Sequence, residues 1–113
     1  LLTVAETDLD LFFGSESERM DADVPWPYSG LIYRVKSGDW SVEFVVSPSY
    51  RSVKLVLGTR GRVVYELDAQ RIADLKIHEG PSHPTLEIEV GRDQGIFLRL
   101  QPELFLGQKV DSA

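Results

Sequence analysis

A seven-residue stretch, Trp40 to Val46 (WSVEFVV), constrains the fold of this chain more than any other. Trp40, Val42, Phe44 and Val46 are large and apolar, with Ser41, Glu43 and Val45 standing between them. Alternation with a period of two marks a strand with one face on a core. Upstream, Leu31 to Lys36 (LIYRVK) alternates in the same way and leads into Ser37-Gly38-Asp39. A two-residue Gly38-Asp39 loop suits a type II′ hairpin turn, which takes glycine at its first central position. That turn fixes a register. Leu31 faces Val46, Tyr33 faces Phe44 and Val35 faces Val42 on one side, while Arg34 faces Glu43 on the other.

The rest of the body repeats the hairpin rhythm. Val53, Leu55 and Leu57 alternate, as do Val63, Tyr65 and Leu67, around Gly58-Thr59-Arg60-Gly61. Read as a type I turn with Gly61 in a left-handed bulge position, this loop sets Leu55 against Tyr65 and Lys54 against Glu66. Ala73, Leu75 and Ile77 alternate with Asp74, Lys76 and His78, which favours a strand, although DAQRIADL over 68–75 also tolerates helix. Leu86, Ile88 and Val90 go out and Ile96, Leu98 and Leu100 return around a turn at 91–95, setting Leu86 against Leu100 and Glu87 against Arg99. The three pairs Arg34–Glu43, Lys54–Glu66 and Glu87–Arg99 put opposite charges on the outer faces, so one side of the sheet is wet and the other is core. Leu104, Phe105 and Leu106 extend the last strand or fold over the end.

Before the body, Thr7 reads as a helix N-cap with Asp10 at the third helical position, Leu9, Phe12 and Phe13 form one face, and Gly14 ends the helix. Ser15 with Glu18 three residues on suggests a second helical turn over 16–20. Pro25 and Pro27 make 21–30 (DADVPWPYSG) an extended crossing segment. The expected fold is mainly β: an antiparallel meander of about seven strands, curled or barrel-like, with the short N-terminal helical segment packed on it. At 113 residues it is a single domain, 1–113, with a helical and extended leader over 1–30 and a β body over 31–106.

Charge divides at the same place. The leader holds seven acids and one base, whereas the remainder is balanced, so the whole net charge of −6 sits in the first 30 residues. Nucleic-acid binding wants a basic stripe, and a cationic protein is the better match. The chain has no cysteine, which removes disulfides and thiolate metal sites and leans towards a reducing compartment or no redox role. No apolar run reaches the ~20 residues of a membrane helix, and the first residues show no signal-peptide pattern.

Chemical constellations are weak. His78-Glu79 with His83 has H-E-x-x-x-H spacing, one residue too long for a zinc-protease helix, and Gly80 and Pro81 break such a helix. Glu87 and Glu89 share a strand face, but an outward one. Asp21-Ala22-Asp23 lacks the spaced ligands of a calcium loop. No catalytic residue, metal ligand or cofactor is assigned. The candidate partner-binding residues are Asp21, Asp23, Trp26 and Tyr28, two carboxylates beside two aromatics on a proline-stiffened segment. The basic turn at Arg60 and Arg62, taken with Tyr50, is the alternative surface. In size, acidity, lack of cysteine and lack of catalytic residues the chain resembles the small immunity proteins that bacteria pair with toxins. That resemblance implies a cytoplasmic inhibitor that covers a cationic toxin or enzyme surface. Two other readings stand beside it: a barrel carrying a small apolar ligand in a cavity lined by Tyr33, Phe44, Leu55 and Tyr65, and an enzyme using paired carboxylates.

Overall fold

The computed structural model describes residues 2–19, 23–24 and 28–110. Helix α1 spans Glu6–Phe13 and strand β1 Glu18–Arg19. The body follows as β2 (Leu31–Ser37), β3 (Trp40–Ser47), β4 (Ser52–Thr59), β5 (Arg62–Ala69), β6 (Asp74–His78), β7 (Thr85–Gly91), β8 (Gln94–Arg99) and β9 (Phe105–Lys109). The chain is mainly antiparallel β with one short N-terminal helix, as the alternation implies. It is not one curled meander or a barrel: the strands form two sheets, ordered β1-β2-β3-β4-β5 and β6-β7-β8-β9. The added strands are β1, in a stretch that reads as helix, and β9.

The β2–β3 register is the expected one throughout, from Leu31 opposite Val46 to Ser37 opposite Trp40, and Gly38 has φ 61°. Two other hairpins are shifted by two residues. Leu55 faces Leu67 and Leu57 faces Tyr65, because the loop is a two-residue turn in which Arg60 and Gly61 both have positive φ, 54° and 75°. That is a type I′ turn. Val64 is then an extra residue on β5, a bulge opposite Leu57 and Gly58. In the last hairpin Leu86 faces Leu98 and Glu87 faces Phe97, around a turn with Asp93 at φ 56°. A shift of two keeps each side chain on its face, so the alternation still sorts core from surface.

Helix α1 starts two residues earlier than the Thr7 cap implies. Ala5 is the N-cap and its amide donates to the Asp8 carboxylate at 3.3 Å. Gly14 ends the helix at φ 65°, where a β-carbon is disfavoured. Leu9, Phe12 and Phe13 are buried in the core. Phe13 stacks on Tyr33 at 4.6 Å and on Phe44 at 5.3 Å between ring centres. One core takes in this helix face and the inward rows of both sheets: Leu31, Tyr33, Phe44 and Leu55 from the first, Leu75, Leu86, Ile88 and Leu98 from the second, all with no exposed surface.

The link between sheets runs through Ile72, fully buried, whose amide donates to the Arg51 carbonyl at 2.8 Å. Ala73, expected to face inward, is exposed, and its amide donates to the Glu89 carbonyl at 2.7 Å. Ser37 Oγ donates to the Leu100 carbonyl at 2.7 Å and ties the other ends together. The segment before the helix is also fastened. Thr3 donates its amide (2.9 Å) and its hydroxyl (2.6 Å) to the Asp74 carboxylate at the start of β6.

This clasp has a pH signature. Burial alone would raise the Asp74 carboxyl, but hydrogen bonds from Thr3 and the Leu75 amide, with Lys76 nearby, hold it below its ordinary value. A depressed folded value contributes stability above the unfolded carboxylate pKa of about 3.9, and loses it as pH falls through the folded value. Acid titration below about pH 4 should therefore release the Thr3 amide to hydrogen exchange before the core amides of β3. Asp74→Asn should leave that amide exchanging at a rate with no carboxylate step in its pH profile. A Thr3 amide equally protected on both sides of the acid range would refute the clasp.

Candidate functional site

Of the four residues singled out for partner binding, Asp21 and Trp26 lie outside the described residues. Asp23 is exposed, and Tyr28 is 67% exposed at the entry to β2. Ser29, next to it, is buried and anchors the approach to the strand. The Arg19 guanidinium donates to the Val24 carbonyl at 3.2 Å, which brings this segment to the Arg19–Leu31 end of the first sheet.

That end carries further side chains that sequence reasoning had not grouped with it. Between β3 and β4 the chain makes a short 3-10 turn, Pro48–Tyr50, with Pro48 buried and Tyr50 77% exposed. Arg51 follows at φ 52°, and Arg71, beyond β5, has φ 54°. The hydrogen bond from Ile72 to Arg51 sets the two loops side by side. One end of the sheet therefore presents Tyr28, Tyr50, Arg51 and Arg71. The proposed grouping of Tyr50 with Arg60 and Arg62 does not hold. β4 separates them, and its eight residues span about 26 Å.

The acidic leader is less of an open surface than its charge count implies. Glu6 pairs with Arg19 at 3.1 Å and accepts from Ser17. Asp8 caps the helix, Glu18 pairs with Arg34, and Asp10 accepts the Tyr33 hydroxyl at 2.6 Å. Burial, and then the Asp10 hydrogen bond and charge, push the Tyr33 phenol far above its ordinary range. At least four of the leader's seven acids, all among the described residues, are thus tied into the fold, and steering of a partner rests on the field of the whole segment.

The carboxylates of the second sheet are also engaged. Glu87 does not meet Arg99; it lies 2.6 Å from His78 Nε2. Glu89 pairs with Lys76 at 3.0 Å. Arg99 lies over the Phe105 ring, 4.4 Å from its centre. Beside this sheet, a cleft of about 560 Å³ separates α1 from β6, with Val4, Phe12 and Leu75 at its base and Asp8, His78 and Glu79 at its edge. Leu11, 81% exposed, stands on its helical rim. Among the described residues, no group of three or more His, Asp or Glu side chains is arranged to hold a metal ion, and no helix is long and apolar enough to cross a membrane.

The interior has no room for a carried ligand at the place the sequence suggested. Tyr33, Phe44 and Leu55 are fully buried against one another, and Phe13 of α1 fills the space above the two rings.

No protein-family model and no curated protein matches the sequence. The fold is similar to a chain of a solved structure described as a contact-dependent growth inhibition toxin–immunity protein complex from Klebsiella pneumoniae 342. The TM-score is 0.78 at 16% sequence identity, and the match covers 93% of this chain and 92% of that one. At that identity the likeness establishes a shared fold along nearly the whole of both chains.

Proposed function

We propose that this chain is a non-enzymatic binding module of the immunity type, which binds a toxin or similar enzyme and masks a cationic surface on it. The observation that carries the reading is the fold shared nearly end to end with a chain of a toxin–immunity complex. The acidic leader supplies a field that attracts a cationic protein, and the exposed Tyr28 and Tyr50 are side chains of the kind that anchor interfaces. The filled core speaks against a ligand carrier. On this reading the protein acts in the bacterial cytoplasm, where an immunity protein meets its toxin. The proposed contact surface is the segment of Asp21, Asp23, Trp26 and Tyr28, extended by Tyr50. The direct test is co-expression with the toxin domain encoded beside its gene: relief of growth arrest supports the reading, and unrelieved arrest with no complex on co-purification refutes it.

Binding kinetics with that domain resolve the surface. Asp21→Asn with Asp23→Asn should slow association and flatten its salt dependence, because charges at a rim steer encounter. Tyr28→Ala or Trp26→Ala should chiefly speed dissociation, by about 30-fold if each anchors with about 2 kcal/mol. Circular dichroism of each variant checks that the fold survives. Unchanged rates in all three variants would move the interface away from this end of the sheet.

A further inference from the structure

We propose that the second sheet carries a carboxylate-binding pocket where β8 passes into β9, with the Arg99 guanidinium as its anion-binding group. The pocket has a volume of about 300 Å³ and is lined by Arg99, Gln101, Pro102, Glu103, Leu104 and Phe105. It stands apart from the proposed partner surface. Ser37, whose hydroxyl donates to the Leu100 carbonyl beside Arg99, is at the far end of β2 from Leu31, and seven strand residues span about 23 Å.

Arg99 differs from every other cation of the chain. Of the twelve lysines and arginines it alone is not exposed. An exposed cation is solvated and needs no partner, whereas one withdrawn from water is costly without a counter-charge. Arg99 makes no ion pair among the described residues. Its Nε is buried without an acceptor, and it is the one such side-chain atom among the described residues. Buried donors are nearly always satisfied, so this one marks an unmet demand at Arg99. Nε itself is shut in. The two terminal nitrogens bond to no described residue and are not enclosed, which leaves them as the donors for a ligand. The charge is shared over the whole guanidinium, so an anion on the terminal pair offsets the desolvation of Nε as well.

The guanidinium is also held in place. It lies over the Phe105 ring, 4.4 Å from its centre. That ring rests against Gly107, where a β-carbon would come within 3.0 Å of it. A fixed planar pair of N–H groups matches the two oxygens of a carboxylate. Charge decides the ligand class. One guanidinium balances one negative charge, and Glu103 on the rim, with the net −6 of the chain, disfavours a doubly charged phosphate. Gln101 offers an amide donor, and Pro102 and Leu104 add apolar surface. The carboxylate of a small organic acid, or of an acidic side chain in a protein segment, has this chemistry.

The test is a nuclear magnetic resonance titration of the full chain, following the backbone amides of residues 99–107 and the Arg99 Nε–H. The probes are acetate, a blocked tripeptide with a central glutamate, and the same tripeptide with glutamine. Saturable shifts are expected with the glutamate peptide and not with the glutamine one. A peptide at least about tenfold tighter than acetate assigns the site to an acidic protein segment, and equal midpoints assign it to a free organic acid. Arg99→Lys keeps the charge but loses the planar fork, and should weaken binding by about tenfold. Arg99→Gln should abolish it, with the rest of the spectrum showing that the fold survives. Glu103→Gln should tighten it, because a competing carboxylate leaves the rim. No shift at tens of millimolar of either carboxylate, or wild-type affinity in Arg99→Gln, overturns the proposal. Binding seen only in Glu103→Gln also overturns it, and makes Glu103 the counter-ion of Arg99.

Discussion

Phe44→Ala is expected to lower the free energy of unfolding by about 3–5 kcal/mol, measured by equilibrium denaturation in urea. Phe44 is fully buried at the middle of β3, between Tyr33 on β2 and Leu55 on β4. On the core side of the sheet its ring meets the Phe13 ring of α1 at 5.3 Å between centres. Truncation removes the ring's transfer energy and leaves a cavity. The cavity is hard to close, because Phe13 is also held on Tyr33 and the strands on both sides are fixed by their ladders. A domain of this kind has about 5–15 kcal/mol of stability in all, so the variant should unfold at much lower urea or fail to accumulate. A loss under about 1 kcal/mol would mean that the helix relaxes into the gap and that α1 is loosely docked.

The inward faces were legible in the sequence because period-two alternation survives errors of register. Turn chemistry decided which registers were legible. Gly38-Asp39 announces a two-residue loop, and the β2–β3 pairing followed residue by residue. Thr59-Arg60-Gly61-Arg62 carries no such signal: an arginine at positive φ is uncommon, so a longer loop was the natural reading. Arg92-Asp93 misled in the same way. Lys54 still reaches Glu66 at 3.6 Å after the shift, as a diagonal pair, whereas Arg99 loses Glu87 and takes Phe105. The division into two sheets was hidden for a related reason. It depends on the left-handed Arg71 and the buried Ile72, which lead the chain off the edge of β5, and neither residue type marks a crossing.

The candidate surface was half legible. Tyr28 is as exposed as a binding residue needs to be, but its neighbours at that end, Tyr50, Arg51 and Arg71, come from loops more than 20 residues away in sequence. Alternation says nothing of which loops share an end of a sheet until strand order is known. Net charge also overstated the open acidic surface, since composition cannot show that Asp10 is held by Tyr33 or that Glu18 is held by Arg34.

The Tyr33–Asp10 bond leads to the second large effect, an alkaline unfolding transition tied to a single phenol. Tyr33 is fully buried beneath α1, and its hydroxyl donates to Asp10 Oδ1 at 2.6 Å. Burial disfavours the phenolate, and the Asp10 hydrogen bond and negative charge disfavour it further. The unfolded phenol titrates near about 10. A folded value raised above that means the neutral form contributes stability that is fully present below about pH 10 and is lost as pH rises towards the folded value. Ionisation in place would set a phenolate against the Asp10 carboxylate in the core, so the chain should unfold instead. Phenolate absorbance and far-ultraviolet circular dichroism, followed together up an alkaline ramp, should show the last of the four tyrosines ionising only as the strand signal collapses. Tyr65, raised by its own burial, is expected to lag as well. Tyr33→Phe should remove this step and flatten the alkaline limb. At neutral pH it should cost about 1–3 kcal/mol, because the half-buried Asp10 loses its donor. Ionisation of all four tyrosines with native circular dichroism intact would show that α1 lifts from the sheet without unfolding it. The helix would then be a docked segment on a sheet pair that stands without it.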